Sequence, residues 1–404
     1  MDDLRISPEV EAPRPEIPAI AVEVRQGRAS DRDAIATFLE RAYRRRAKYK
    51  GAARWEWQFV SNPFSHQPTG LVPVWIALDG DQVVGQIAVQ EAILQVGDET
   101  LDAGWILDVM ILPSHRGMGI GHRLYEAVAA DAPVLVTLTM ADATRRMAER
   151  LSAVTLDHVH QLTRWVRLDS QTIRRYLMVR TATHPRARVA VRLGCDVGQL
   201  HRLLPLVVNP LLWARDRVRP SPGVSDSTRI AEVTRFGHNM DELWERTRRD
   251  YPVIFPRDAR FLNWRFVDSP QPRYRCFVAE REGRTVGYVV LRHAESVELP
   301  EGHIVDLYAA RDDRQTIEDL VAHSISFFGS DVAALDAAAS MAEFETVLRR
   351  HGFVRTRTHR PTCVCQDDGL RRRIADLSGG WFFSKGDHDW DQIHDVEALA
   401  EEPD

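Results

Sequence analysis

Apolar positions along the chain fall into short runs that switch between two spacings. Residues 21–24 read as a short strand. Ser30 with Asp33 reads as a capping-box-like helix start, and Ile35, Phe38, Leu39 and Ala42 give that helix an apolar face. Residues 75–78 and 83–89 are strand-like on either side of the turn Asp79-Gly80-Asp81. Residues 106–112 form another apolar strand. Residues 119–130 are helical, with Ile120, Leu124, Ala127 and Val128 on one face. A strand at 134–138, a helix at 141–151 and an extended stretch at 162–168 follow. This order predicts an α/β (α+β) fold in which a mixed, mostly antiparallel sheet is flanked by helices.

The second half repeats the first. Trp57-Gln58-Phe59-Val60-Ser61-Asn62-Pro63 matches Trp264-Arg265-Phe266-Val267-Asp268-Ser269-Pro270. The hairpin at 75–85 matches 277–287, and Ile106-Leu107-Asp108-Val109 matches Ile304-Val305-Asp306-Leu307. Arg116 and Arg314 each stand eight residues after their aspartate. Four matches in one order indicate two globular copies of one domain. The expected organisation is a disordered N-terminus (1–20), a first copy (21–168), a helical linker (169–227), a second copy (228–367) and a C-terminal tail (368–404). The linker begins basic and turns apolar at 203–213, where Pro205 and Pro210 interrupt it. A membrane-surface element is one reading of it; a connector packed on its own domains is favoured. The aromatic Trp381-Phe382-Phe383 is expected to dock the tail and its acidic end to be solvated.

Composition narrows the function. The net charge is −5, which argues against nucleic acid as the main partner. Lysine occurs at positions 48, 50 and 385 and arginine elsewhere, which reads first as coding bias. Cys195, Cys276, Cys363 and Cys365 are too few for a disulfide scaffold and wrongly spaced for zinc, so no metal is expected. His158 and His160 share a strand face but have no third ligand nearby and read as a surface pair. The N-terminus has no apolar core of a signal peptide and no run reaches membrane-spanning length, so a cytoplasmic location is expected.

The chemistry concentrates in Arg116-Gly117-Met118-Gly119-Ile120-Gly121, which follows a strand and opens a helix. Glycines allow a sharp turn and close approach to a ligand, and leading helix N–H groups cradle an anion. A Walker A loop would need Gly-Lys-Ser/Thr, but His122 follows Gly121. His122 also stands where a dinucleotide fingerprint needs its third glycine. The pattern Arg116-x-x-Gly119-x-Gly121, after a strand carrying Val109, Ile111 and Pro113, resembles the pyrophosphate loop of the GNAT (GCN5-related) N-acetyltransferases. The resemblance covers residues 22–168 well, and 229–365 by fold pattern and repeat. It implies two tandem GNAT-like domains.

The resemblance further implies that backbone groups of Val109, Met110 and Ile111 pair with the pantetheine arm of acetyl-CoA or another acyl-CoA. The N–H groups of Gly117, Met118, Gly119, Ile120 and Gly121 would hold its pyrophosphate, with Arg116 adding positive charge. Asp108 is the candidate base, with a structural role shared with Asp306 as the equal alternative. The family's usual tyrosine acid is replaced by Ala148 in the first copy and Leu348 in the second, and Tyr125 is expected to pack or face solvent. The second copy has Gln315, Thr316, Ile317, Glu318 and Asp319 in place of the glycine loop, so it is expected not to bind CoA and instead to shape the acceptor site. The implied activity is transfer of an acyl group to a primary amine, an amino sugar among the candidates. A non-catalytic CoA-binding scaffold and a Fem-like aminoacyl transferase are the alternatives. The oligomeric state stays open, a homo-oligomer included.

Overall fold

The computed structural model describes residues 22–138, 142–150, 153–180, 185–196, 198–218, 222–294 and 299–391. The N-terminal stretch 1–20 and the acidic end 392–404 lie outside these residues. The first half contributes β1 (Glu23–Arg28), β2 (Leu71–Asp79), β3 (Gln82–Val96), β4 (Glu99–Ile111), β5 (Val134–Thr137), β6 (Val154–Thr155) and β7 (Val159–Trp165). Its helices are α1 (Arg32–Tyr43), α2 (Ala52–Trp55), α3 (Ile120–Asp131) and α4 (Asp142–Arg150). The connector is helical, with α5 (Ser170–Arg180), α6 (Pro185–Asp196) and α7 (Leu200–Val218). The second half adds β8 (Arg229–Val233), β9 (Val253–Ile254), β10 (Arg275–Arg281), β11 (Arg284–His293), β12 (Glu301–Ala309), β13 (Ala334–Ala339), β14 (Val354–His359) and β15 (Thr362–Val364). Between them lie α8 (His238–Thr247), α9 (Ala259–Leu262), α10 (Arg314–Phe328), α11 (Ala342–Arg350) and α12 (Asp368–Asp376).

The strands form two sheets. One runs β1-β2-β3-β4-β5-β15-β6 with β9 beside β3; the other runs β14-β7-β13-β12-β11-β10-β8. Pairing is antiparallel except at β4–β5 and β12–β13. The fold is therefore mixed α/β with two mostly antiparallel sheets, in accord with a tandem arrangement. The copies also exchange a strand. β7, from the first half, lies between β13 and β14, and β15, from the second, lies between β5 and β6. Residue 168 therefore follows a strand that completes the other sheet.

Local chemistry accounts for most elements. α1 buries Ile35, Phe38 and Leu39, as its spacing predicts, but it starts from Asp31 rather than Ser30. The Asp31 carboxylate accepts from the Arg28 N–H and from Arg25, which fixes the turn one step later. Polar positions on β3 are buried but partnered: Gln58 donates to Gln90, and Ser65 and Gln67 donate to Glu91. α7 runs unbroken through Pro205 and Pro210, contrary to the sequence expectation. Each proline removes one backbone donor, yet α7 is fastened at its sides, where Asn209 bonds both backbone groups of Leu168 and Arg215 donates to the Trp165 carbonyl.

The two copies meet about a local pseudo-twofold. α2 and α9 each run into a π-helical turn, Glu56–Val60 and Asn263–Val267. Their tryptophans, Trp57 and Trp264, stack at 5.0 Å, and each indole N–H donates to the other's carbonyl, at 2.7 and 3.1 Å. The tail staples the halves together. Trp381 and Phe383 enter the first hydrophobic core and Phe382 the second, the alternation of an extended segment.

Candidate active site

β4 and β5 pair only at Ala103, Gly104 and Trp105, then separate. Past that point, among the described residues, β4 has no strand partner on its β5 side. A bulge lies between Leu107 and Met110, where the register with β3 slips by one residue. Asp108 within it adopts φ of +51°, a conformation a non-glycine residue rarely takes. Burial ends at the same place: residues 103–107 are buried, whereas Asp108, Val109, Met110 and Ile111 are half-exposed. The sequence thus places Val109 to Ile111 on an accessible strand edge.

The glycine loop follows at once. Gly117 and Gly119 have φ of +82° and +73°, and a Cβ at either would meet no atom within 4 Å. They are glycines for backbone conformation and for open space beside them, not for packing. Gly119 is the N-cap of α3, which has no side-chain cap, so the positive end of the helix dipole is left for an outside acceptor. Met118 is exposed, while Ile120 and Gly121 are buried at the root of the helix. Arg116 folds its Nε back to the Ile111 carbonyl at 3.2 Å, bracing strand to loop.

Asp108 is one member of a charged cluster. Tyr43 donates its hydroxyl to Asp108 at 3.0 Å, and Lys50 Nζ lies 2.5 Å from the same carboxylate oxygen. Lys50 also approaches Asp389, at 3.5 Å, and Arg54 reaches Asp389 at 3.9 Å. His388 places Nδ1 2.8 Å from Asp389, and its Nε2 donates to the carbonyl of Ile106 at 3.1 Å. The His388 ring lies edge-on to Trp105. Burial opposes ionisation of Asp389, but His388, Lys50 and Arg54 outweigh it and hold its carboxyl well below the usual range.

The second copy has the same skeleton with different chemistry. Arg257 stands at the repeat position of Lys50 and pairs with Asp306, the repeat of Asp108, at 3.1 Å. Tyr288 donates to Asp306, and Asp387 completes the pair with Arg257. Arg257, Asp306 and Asp387 have 0% side-chain exposure, whereas Lys50, Asp108 and Asp389 keep 3%, 7% and 16%. The second copy's cluster is sealed, and the first keeps a small exposed area. Burial pushes the Asp306 carboxyl up, against the pull of Arg257. At α10 the N-cap is Asp313, whose carboxylate accepts from the Thr316 N–H and Oγ1. The helix end that faces outward in the first copy is filled by an internal anion in the second. The tail lies in the cleft between β12 and β13, with the Gly386 N–H donating to the Val305 carbonyl.

Next to the first cluster is a cleft of about 290 Å³ walled by Lys48, Tyr49 and Arg54. It shares Ala53 and Pro270 with a groove of about 630 Å³ lined by Trp57 and Trp264 and edged by Glu56, Asp268, Arg235 and Arg260. Both copies line this groove, so the two Trp-x-Phe-Val-x-x-Pro segments both pack and form a surface.

Some functional candidates were not legible beforehand. Tyr43, Lys50, His388 and Asp389 join Asp108 only in the fold. One signal existed: in an arginine-rich chain, two of the three lysines, Lys50 and Lys385, are buried against aspartates, Asp108 and Asp336. Ala148 and Leu348 are buried and apolar, and Tyr125 packs inside the first core, where burial pushes its hydroxyl up. His158 and His160 stack at 5.9 Å and bond Arg360 and Thr358. All four cysteines are buried thiols. No group of three metal-ligating side chains occurs among the described residues.

These features define the GNAT fold in tandem form. Residues 23–135, in the first half of the chain, match the family described as acetyltransferase (GNAT) domain. Among solved structures, a GCN5-related N-acetyltransferase from Anabaena variabilis aligns over 86% of this chain and 73% of its own, with 11% identity and a TM-score of 0.54. An N-myristoyltransferase from Saccharomyces cerevisiae, solved with bound myristoyl-CoA and inhibitors, aligns over 88% and 82%, with 10% identity and a TM-score of 0.53. At such identities the likeness is one of fold. No curated protein matches the chain by sequence.

Proposed function

We propose that the first copy binds acetyl-CoA, or another acyl-CoA, and transfers its acyl group to a primary amine. The observation that carries this reading is the uncapped α3 behind Gly117 and Gly119, next to the open edge of β4. Pantetheine would add along Val109, Met110 and Ile111 as a strand does, and the pyrophosphate would sit on the N–H groups of residues 117–121 beside Arg116. The thioester would then lie near Asp108. The amine nitrogen attacks the thioester carbon and gives its proton to Asp108, directly or through water; the carbon–sulfur bond breaks and the thiolate leaves. Tyr43, hydrogen-bonded to Asp108, is positioned to protonate the thiolate and be reprotonated from Asp108. Holding both reactants in line supplies much of the rate.

The acceptor would enter along the Trp57–Trp264 groove, where Glu56 could receive an amine and Asp268 is held by Arg235. An amino sugar stays among the candidate acceptors. The second copy supplies half of this groove and no CoA site of its own, and the reaction would run in the cytoplasm. The shared Lys50–Asp108 and Arg257–Asp306 pairs favour a second reading, a CoA-binding protein without turnover. Calorimetry with acetyl-CoA, on the wild type and on Gly119→Glu, tests the site. The variant should bind about a hundred-fold more weakly or not at all, because a carboxylate replaces the space meant for phosphate. Absence of binding by the wild type would sink the proposal. Binding without CoA release on a panel of amines would leave the second reading.

A further inference from the structure

α7 has two apolar faces, and one of them is covered by nothing in the chain's described residues. Its inner face carries Leu204, Val208 and Leu212, half-buried against the connector and the end of β7. Its outer face carries Leu203, Leu206, Val207, Leu211, Trp213 and Val218, whose exposures run from 55% to 78%. At 100° per residue these six fall within one arc of about 140–160°, the width of an amphipathic stripe. α6 extends the surface with Val189 and Leu193, both more than half exposed. Monomeric proteins seldom expose a contiguous apolar patch of this kind without a partner.

The charge around the stripe decides the partner. Residues 170–218 hold nine arginines and two aspartates, and neither glutamate nor lysine, a net charge of +7 in a chain whose total is −5. Arg217 stacks over Trp213 at 4.6 Å, an amphipathic pair suited to the boundary between headgroups and acyl chains. A second copy would present the same positive charge and repel. No helix among the described residues is long and apolar enough to cross a membrane, so insertion would be parallel to the surface. We infer that the outer face of α7, with the exposed Arg174, Arg175, Arg192, Arg202 and Arg217, binds an anionic lipid bilayer as an interfacial helix.

The test is flotation of the full chain with vesicles of pure phosphatidylcholine and of phosphatidylcholine with phosphatidylglycerol. Binding is expected to the anionic vesicles, and to weaken steadily between low and high salt. Leu206→Asp with Leu211→Asp should lower the vesicle affinity about ten-fold or more. Both residues face solvent, so an unchanged melting temperature and circular dichroism spectrum would show that the fold is intact. No binding to anionic vesicles at low salt would overturn the inference. So would a concentration-dependent dimer in light scattering that the double substitution abolishes, since the stripe would then be a self-interface.

Discussion

At the residue scale, one aspartate repeated in two copies has two environments, and this separates chemistry from architecture. Asp108 is strained, keeps 7% side-chain exposure and is paired with a lysine. Asp306 is sealed with Arg257, which cannot lose its proton in a protein. Asp108→Asn should lower turnover about a hundred-fold while acetyl-CoA binding is kept, measured by CoA release and calorimetry. Asp306→Asn should leave the affinity for CoA intact and cost about 3 kcal/mol of stability, because Arg257 loses half of its buried compensation. Equal effects on stability from both variants would assign Asp108 a structural role. His351 offers a pH test. It is buried with neither ring nitrogen hydrogen-bonded, and burial depresses it from 6.5 to about 4. Between those values the unfolded chain binds a proton that the folded chain refuses, so stability falls as pH drops from 6.5 towards 4. His351→Asn should flatten that part of the melting-temperature profile relative to wild type.

At the element scale, legibility follows the range of the interaction. α3 and its glycine loop could be read because a helix start and two positive-φ glycines are specified within about six neighbouring residues. The hairpins and the repeat were legible for the same reason. The Asp108 cluster was not, because Lys50 meets a tail residue 339 positions away. A tail rich in Trp, Phe and Asp reads as a docked end with a solvated acidic stretch. The acidic end lies outside the described residues; ahead of it, Asp387, Asp389 and Asp391 are each matched to a buried cation, and His388 reaches into the first copy. α7 was misread through its prolines, since sequence shows the lost donors and not the side fastenings that compensate. His388→Ala should depress turnover more than stability, because it removes the hydrogen bond to the Ile106 carbonyl at the point where β4 leaves β5. Lys385→Met should lower the melting temperature, because Asp336 and His303 lose their buried partner, and should leave turnover per folded molecule unchanged.

At the scale of the whole molecule, the exchange of strands makes the two copies one folding unit. The alternating sequence of β7 announces a strand but cannot name its neighbours, because period-two patterning carries no information about partners. Only the fold shows that β7 separates β13 from β14 and that β15 separates β5 from β6. A chain ending at residue 227 would lack β15, leaving β6 unpaired and an open edge on β5, next to the cleft where the pantetheine arm would lie. It would also lack Trp381 and Phe383 from its core and Asp389 from its charged cluster. A chain starting at 228 would lose the strand that joins β13 to β14. Open edges and exposed cores of this kind aggregate. Residues 1–227 and 228–404 expressed apart should therefore each fail to give a cooperative melting transition. Expressed together they should be recovered as a one-to-one complex that binds acetyl-CoA with the affinity of the intact chain. A first half that melts sharply alone and binds acetyl-CoA at full strength would show that the exchanged strand and the tail are dispensable to the site, and would return the molecule to two independent domains in series.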